Sequence, residues 1–247
     1  MSRSPHRVAL APAYILHHRP FRDTSRILEV LTREHGRMSL FARGVRGPKA
    51  RLAALLQPFE PLLLSWSGRS EAPQLTGAER GGEGPRLPPA ALLAGFYLNE
   101  LLLKLTTRHD PHPPLYDAYE RALGALRRSA PLERTLRLFE KHLLLELGYG
   151  LELGVEARTG RQIDPAAHYQ YRPELGLVAV EADAPGAIAG ASVLSLADET
   201  LAGAREIEDA RTLLRVALEA CLEGRELATR AVARSLARRT ASTGGRA

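Results

Sequence analysis

The chain has a single cysteine, Cys221, among 247 residues. An intrachain disulfide is therefore excluded, and so is a zinc site built from thiolates. A lone thiol suits a reducing cytoplasm. Aromatic residues make up only 5% of the chain, so the core must come from Leu, Ala and Val. No segment approaches 18 uninterrupted apolar residues, which argues against a membrane span. The first sixteen residues begin basic but lack a long apolar stretch and a small-residue cleavage site, so no secretion signal is expected. Catalytic patterns are missing as well. GxxxxGK[ST] does not occur, and Gly47-Pro48-Lys49-Ala50 ends on Ala where a hydroxyl would hold magnesium. No serine sits in a GxSxG elbow. His17-His18 and His109-Asp110-Pro111-His112 are the only His clusters, and each falls short of three convergent ligands. Cys221 reads as packed core, and Glu206/Glu208 and Glu219/Glu223 read as solvated helix faces. The expectation is a binding protein: not an enzyme, with no cofactor and no metal.

What the chain does have is Arg. Of 34 cationic residues only Lys49, Lys104 and Lys141 are Lys. With abundant Ala and Gly this looks like coding bias, so the distribution of charge carries more meaning than the choice of cation. Residues 1–80 hold 13 Arg or Lys against 6 Asp or Glu, a net of +7, while the remainder nets −1. A basic excess confined to one third of a chain points to a polyanion, held by phosphate neutralisation and counterion release.

Hydrophobic residues make up 45%, enough for a packed core. Residues 7–80 show short apolar runs at Val8–Leu16, Ile27–Thr32, Met38–Ala42, Leu62–Trp66 and Leu75–Thr76, separated by turn signals such as His35-Gly36 and Ser67-Gly68. That pattern predicts a five-stranded OB-fold β-barrel, with a short helix over Arg51–Leu56 plugging it. Residues 81–89, GGEGPRLPP, read as a linker. Helical periodicity then covers Ala91–Thr106, Leu115–Arg128, Leu132–Leu147, Asp209–Leu222 and Glu226–Arg239. Residues 151–190 are irregular, with a hairpin signal at Pro173–Gly176. The predicted class is α+β: a barrel domain over 1–80, then a mainly α-helical domain over 90–239 with a small β-hairpin insertion, and a disordered tail over 240–247.

The most informative segment is Arg43-Gly44-Val45-Arg46-Gly47-Pro48-Lys49-Ala50-Arg51, with four cations in nine residues and glycines that allow close backbone approach. Arg43, Arg46, Lys49 and Arg51 are the candidate phosphate ligands, extended by Arg19, Arg22, Arg26 and Arg37. Tyr14, Phe41, Phe59 and Trp66 read as core, and Phe21 is the candidate for touching a base. Few free aromatics favour backbone over base contacts, so duplex and single strands of nucleic acid should both bind, with strong salt dependence. The helix over 132–147 mixes Leu136, Phe139, Leu143 and Leu144 with Arg134, Arg137 and Lys141. An apolar groove edged by cations suits an acidic peptide with a bulky end and a free carboxylate. An ordinary amphipathic helix has the same spacing.

Several segments, in order, resemble the bacterial DNA repair family RecO. They are Tyr14-Ile15-Leu16 with Arg19-Pro20 and Asp23-Thr24-Ser25; Leu31-Thr32-Arg33-Glu34-His35-Gly36-Arg37; and Phe41-Ala42-Arg43-Gly44-Val45-Arg46. Leu56-Gln57-Pro58-Phe59 with Pro61-Leu62 follows, then Tyr97–Leu102, Leu136–Glu140 and Leu147–Gly150. The resemblance spans about residues 10–230. It implies an N-terminal OB-fold and a helical C-terminal domain. It also implies a recombination mediator of the RecF pathway that acts in DNA damage repair, binds single- and double-stranded DNA, anneals complementary strands and, with RecR, helps load RecA onto strands coated by single-strand-binding protein. Many members hold zinc through four cysteines; this sequence has none between Leu151 and Tyr171 and resembles the zinc-free branch. The acidic tail of single-strand-binding protein is expected on the helical domain, where Arg137 matches the family's tail-binding arginine and Arg134, Phe139, Lys141 and Leu144 complete the candidate site. The implied location is the cytoplasm, at the nucleoid. A protein–protein adaptor that binds no nucleic acid is the alternative, and the localised +7 speaks against it.

Overall fold

The computed structural model describes residues 7–45, 51–82, 86–149 and 151–243. By compactness they form two units: one comprises the residues up to Arg128 together with those from Leu227 on, and the other is Ser129–Glu226.

The first unit begins with a 15-residue strand β1 (Arg7–Phe21), followed by β2 (Ser25–Thr32) and β3 (Gly36–Ala42). A short helix α1 (Arg51–Leu55), β4 (Leu62–Ser67) and β5 (Gln74–Arg80) complete the sheet. β1 is long enough to serve two neighbours. Its first half pairs with β4 and its second half with β2, and register shifts at Val8/Ala11 and Ile15/His17 bend it between them. The strand order β1-β2-β3-β5-β4 thus closes on itself as a barrel. Its interior is Ala13, Ile15, Leu28, Val30, Leu40, Leu62, Leu64 and Trp66, with Val45 and Leu56 in the same cluster. Gly36 ends the β2–β3 turn at φ +66°, and a Cβ there would lie 2.3 Å from the Asp110 carbonyl oxygen, so only glycine fits.

Three helices of this unit follow or return to the sheet: α2 (Leu92–Leu105), entered by a 3-10 turn at Pro89–Ala91, α3 (Pro113–Arg127) and α7 (Ala228–Thr243). Residues Ala13–Leu16 of β1 are buried on both faces. The inward face meets the sheet core, and the outward face meets the helices. Tyr14 packs edge-on against Tyr119 at 5.2 Å, and Asn99 donates its side-chain amide to the Leu16 carbonyl at 2.8 Å. Arg33 pairs with Asp117 on α3 at 3.0 Å.

The predicted fold of a five-stranded OB-type barrel, then a separate helical domain with one hairpin, needs correction. The β3–β5 edge is joined by one parallel pair, Phe41 with Gln74. The sheet does not stand alone, because β1 is sealed by α2 and α3, and α7 belongs to the same unit. The physical reason is composition: Tyr14 and Leu16 are apolar on the outward face and need cover. The tail expected from Thr240 is helical to Thr243, and 244–247 lie outside the described residues.

The second unit holds α4 (Leu132–Glu146), the strands β6 (His168–Arg172), β7 (Gly176–Val180) and β8 (Ile188–Ala189), and the helices α5 (Gly190–Ala197) and α6 (Ala204–Leu222). The expected hairpin is two strands of a three-stranded sheet ordered β7-β6-β8. α5 was not foreseen, and α6 begins five residues before the predicted start. Glu206 explains that start: its carboxylate accepts the Ala202 and Gly203 amides and the Ser195 hydroxyl, fixing the first turn. Cys221 is buried, and burial pushes its thiol up to about 11, so it is an unreactive core residue.

Candidate nucleic-acid interface

The basic residues of the N-terminal sheet divide into those left outside and those spent on the fold. Sheet register decides which is which. Arg19 pairs across to Ile27, Pro20 to Arg26, and Arg26 in turn to Ala42, next to Arg43. One end of the β1-β2-β3 ribbon therefore gathers Arg19, Arg22, Arg26 and Arg43. Arg19, Arg22 and Arg43 are exposed. Arg22 sits in the β1–β2 turn at φ +52° with its guanidinium 5.4 Å from the centre of the Phe21 ring. Phe21 meets Phe41 edge-on at 5.7 Å, which binds the turn to β3. Both rings are part-exposed, so the Phe21 face beneath Arg22 is the aromatic surface nearest these cations. Arg26 is half-buried, and one terminal nitrogen of its guanidinium finds no hydrogen-bond partner among the described residues. Beside it, burial and then the Arg26 and His17 charges hold the His18 ring below the usual imidazole value, which favours its neutral form.

Arg37 is spent on the fold. Its Nε donates to the Thr106 hydroxyl at 3.0 Å and one terminal nitrogen to the Thr106 carbonyl at 2.7 Å. The other pairs with Glu29 at 3.3 Å. Glu29 also takes Arg108 at 2.6 Å and the Ser39 hydroxyl at 2.5 Å. The Arg37 side chain is only 13% exposed and clamps β3 to the end of α2. Arg46 and Lys49 lie outside the described residues, as does the Arg51 side chain.

The candidate tail-binding residues lie on α4. Phe139 and Leu144 are buried. Arg134 donates to the Glu199 and Thr200 carbonyls at 2.6 and 3.3 Å, and Lys141 reaches the Ala197 carbonyl and the Glu199 carboxylate at 2.7 and 3.1 Å. Arg137 is buried and pairs with Glu140 one turn on, at 2.9 Å. Its Nε has no hydrogen-bond partner among the described residues. In this state the three cations are turned onto their own unit.

Sequence spacing singles out the Tyr116/Tyr119/Leu123 face of α3 and not the cations Arg121, Arg127 and, at its C-cap, Arg128. Arg121 and Arg128 are seven residues apart, which is two helical turns and one face; that spacing was the available signal. Among the described residues no group of three or more His, Cys, Asp and Glu side chains converges as a metal site. Nor is any helix among them long and apolar enough to cross a membrane.

Comparison with known proteins matches both parts of the chain. Residues 7–80 fit the family model described as recombination protein O N terminal, and residues 87–239 fit recombination protein O C terminal. The gap between them falls within the Gly/Pro-rich linker. The DNA repair protein RecO of Methylococcus capsulatus is 44% identical over 231 residues, covering 94% of this chain and 95% of that protein. That of Nitrosococcus oceani is 43% identical over 234 residues, covering 94% and 95%. That of Aromatoleum aromaticum is 40% identical over 234 residues, covering 93% and 97%.

Proposed function

From the premise that the chain belongs to the RecO family of DNA repair proteins, we propose that its cations at the β1-β2-β3 end hold DNA backbone while the protein anneals complementary strands. The chain is a recombination mediator and a binding protein rather than a catalyst. With one cysteine it sits in the branch of the family without a four-cysteine zinc site.

The observation that carries the DNA assignment is the gathering of Arg19, Arg22 and Arg43, all exposed, by the register of one ribbon. Exposed guanidinium groups neutralise phosphates without reading sequence, as annealing of arbitrary strands requires. Arg26 adds its charge beneath the patch from a half-buried position. Arg46, Lys49 and Arg51 extend it in the sequence. Arg37 is left out, because its donors are consumed by Thr106 and Glu29.

DNA, RecR and single-strand-binding protein are the partners this family works with. In the finer reading the acidic tail of single-strand-binding protein docks on α4, and RecA loading follows with RecR. Docking requires α4 cations to exchange partners: Lys141 leaves Glu199, or Arg137 leaves Glu140, for the incoming carboxylates. A partner that brings its own acids makes that exchange nearly balanced in charge. Strand annealing tests the whole reading, with naked oligonucleotides and with oligonucleotides coated by single-strand-binding protein. The wild type should accelerate both. The Arg19→Glu, Arg22→Glu, Arg43→Glu variant should lose most of the acceleration on naked strands. Equal annealing by that variant would remove the patch from the DNA site.

A further inference from the structure

We propose that a second phosphate-binding site of this protein is the cleft between α3 and the ends of β4 and β5, and that it takes a backbone phosphate of bound DNA. The cleft has a volume of about 450 Å³ and is lined by Tyr14, Pro61, Gly81, Gly82, Glu120, Arg121, Gly124, Arg127 and Arg128. Three of its walls' side chains are arginines and one is an acid.

The acid is already engaged. Glu120 accepts the Tyr14 hydroxyl at 2.9 Å. Burial, and then that carboxylate, keep the phenol protonated far above neutral pH, so Glu120 stays engaged by Tyr14. Arg127 is fixed as well, donating to the Phe59 carbonyl. Phe59 has φ +70°, and this strained backbone presents its carbonyl to α3. Arg127 thereby ties the cleft wall to the sheet while its charge remains in the cleft. Arg121 and Arg128 are exposed, and among the described residues neither side chain makes a hydrogen bond or ion pair. They are the two forks open to a ligand.

Small residues shape the space. A Cβ at Gly124 would sit 3.4 Å from a terminal nitrogen of Arg128, so glycine there leaves that guanidinium room to swing. Gly81 and Gly82 leave the opposite wall without side chains, where a ligand can approach closely. Arginine forks beside glycine walls match the oxygens of a phosphodiester. The site is separate from the Arg19/Arg22/Arg43 cluster, and β1 runs from Tyr14 at the cleft to Arg19 at the cluster. At about 3.3 Å per residue that is roughly 17 Å of strand, a track for one backbone touching two sites.

This inference rests on the DNA-binding reading, and the experiment separates the two. Binding of a fluorescent dT oligonucleotide is measured across a salt series for the full chain, the Arg121→Ala, Arg128→Ala variant, and the Arg19→Glu, Arg22→Glu, Arg43→Glu variant. Losing two phosphate contacts should weaken the first variant about five- to ten-fold at low salt and flatten its salt slope by about 1.4, at about 0.7 per phosphate on single strands. Both side chains are exposed, so its thermal midpoint should match the wild type. If the wild type binds no oligonucleotide, the functional reading fails. If the wild type binds and the α3 variant matches it in affinity and slope, the second site is overturned while the first reading stands. An acidic peptide that binds the wild type and not the α3 variant, with DNA affinity unchanged, would also overturn it.

Discussion

Single buried polar residues hold the sheet to its helices, and Asn99 is the clearest. It is 2% exposed, donates to the Leu16 carbonyl at 2.8 Å and accepts the Tyr119 hydroxyl at 2.6 Å. Asn99→Ala strips partners from two buried groups at once. Each unsatisfied group costs about 1–3 kcal/mol, so denaturant unfolding should show a loss of roughly 2–5 kcal/mol. Tyr119→Phe removes only one partner and should cost less. Gly95 makes a packing prediction. An added Cβ would lie 2.7 Å from Leu87 and 2.9 Å from the Phe59 ring, so Gly95→Ala should destabilise by about 1–3 kcal/mol in the same assay. Arg137 carries a warning for any binding study. Breaking a buried ion pair typically costs about 3–5 kcal/mol, so Arg137→Ala is expected to lower the thermal midpoint whatever it does to peptide binding. Replacing Arg137 and Glu140 together by Leu should recover most of that loss, which a double-mutant cycle measures directly. None of this pairing was visible in the sequence. Arg37 and Arg43 look alike there, and only the register that sets Glu29 and Thr106 around Arg37 tells them apart.

At the level of elements, α7 owes its first turn to a residue 128 positions away. Glu100 on α2 accepts the Ala228 amide at 2.8 Å and the Thr229 amide and hydroxyl at 2.9 and 2.7 Å. Burial alone would raise its carboxyl. The bonds from Thr229 and Ala228, with Lys104 beside it, outweigh burial and hold it below the usual glutamate value of 4.5. A lowered folded value means the stabilisation is complete above 4.5 and is lost as pH falls through the folded value. Protection of the first α7 amides against hydrogen exchange, taken relative to the intrinsic rate at each pH, should therefore fall on acidification below about pH 4.5, and in Glu100→Ala it should be low already at neutral pH. The sequence showed six of the seven helices among the described residues and all five strands of the first sheet, because most of their apolar periods are clear. It hid α5, whose eight residues Gly190–Ala197 open on glycine and carry no charged face, and it hid the two-residue β8. The start of α6 was missed because Glu206 reads as solvent-facing until its capping bonds are seen.

For the molecule as a whole, charge asymmetry was legible and its geometry was not. A net of +7 in residues 1–80 pointed to a polyanion, and the family relationship makes that polyanion DNA. Grouping was the unreadable part. The first unit takes α2, α3 and α7 along with the sheet, which puts the α3 arginines on the same body as the N-terminal cations. The second unit keeps α4, where the proposed tail site has its cations turned inward. In the proposed function DNA is held on the first unit, and the protein that coats DNA is recognised on the second. The most direct test is the salt dependence of oligonucleotide affinity for the wild type and for the Arg19→Glu, Arg22→Glu, Arg43→Glu variant. Affinity of the wild type should fall steeply with salt, and the variant should bind weakly with a slope shallower by about 2, three phosphate contacts at about 0.7 each. Salt-independent binding by the wild type, or identical slopes for the two proteins, would contradict it.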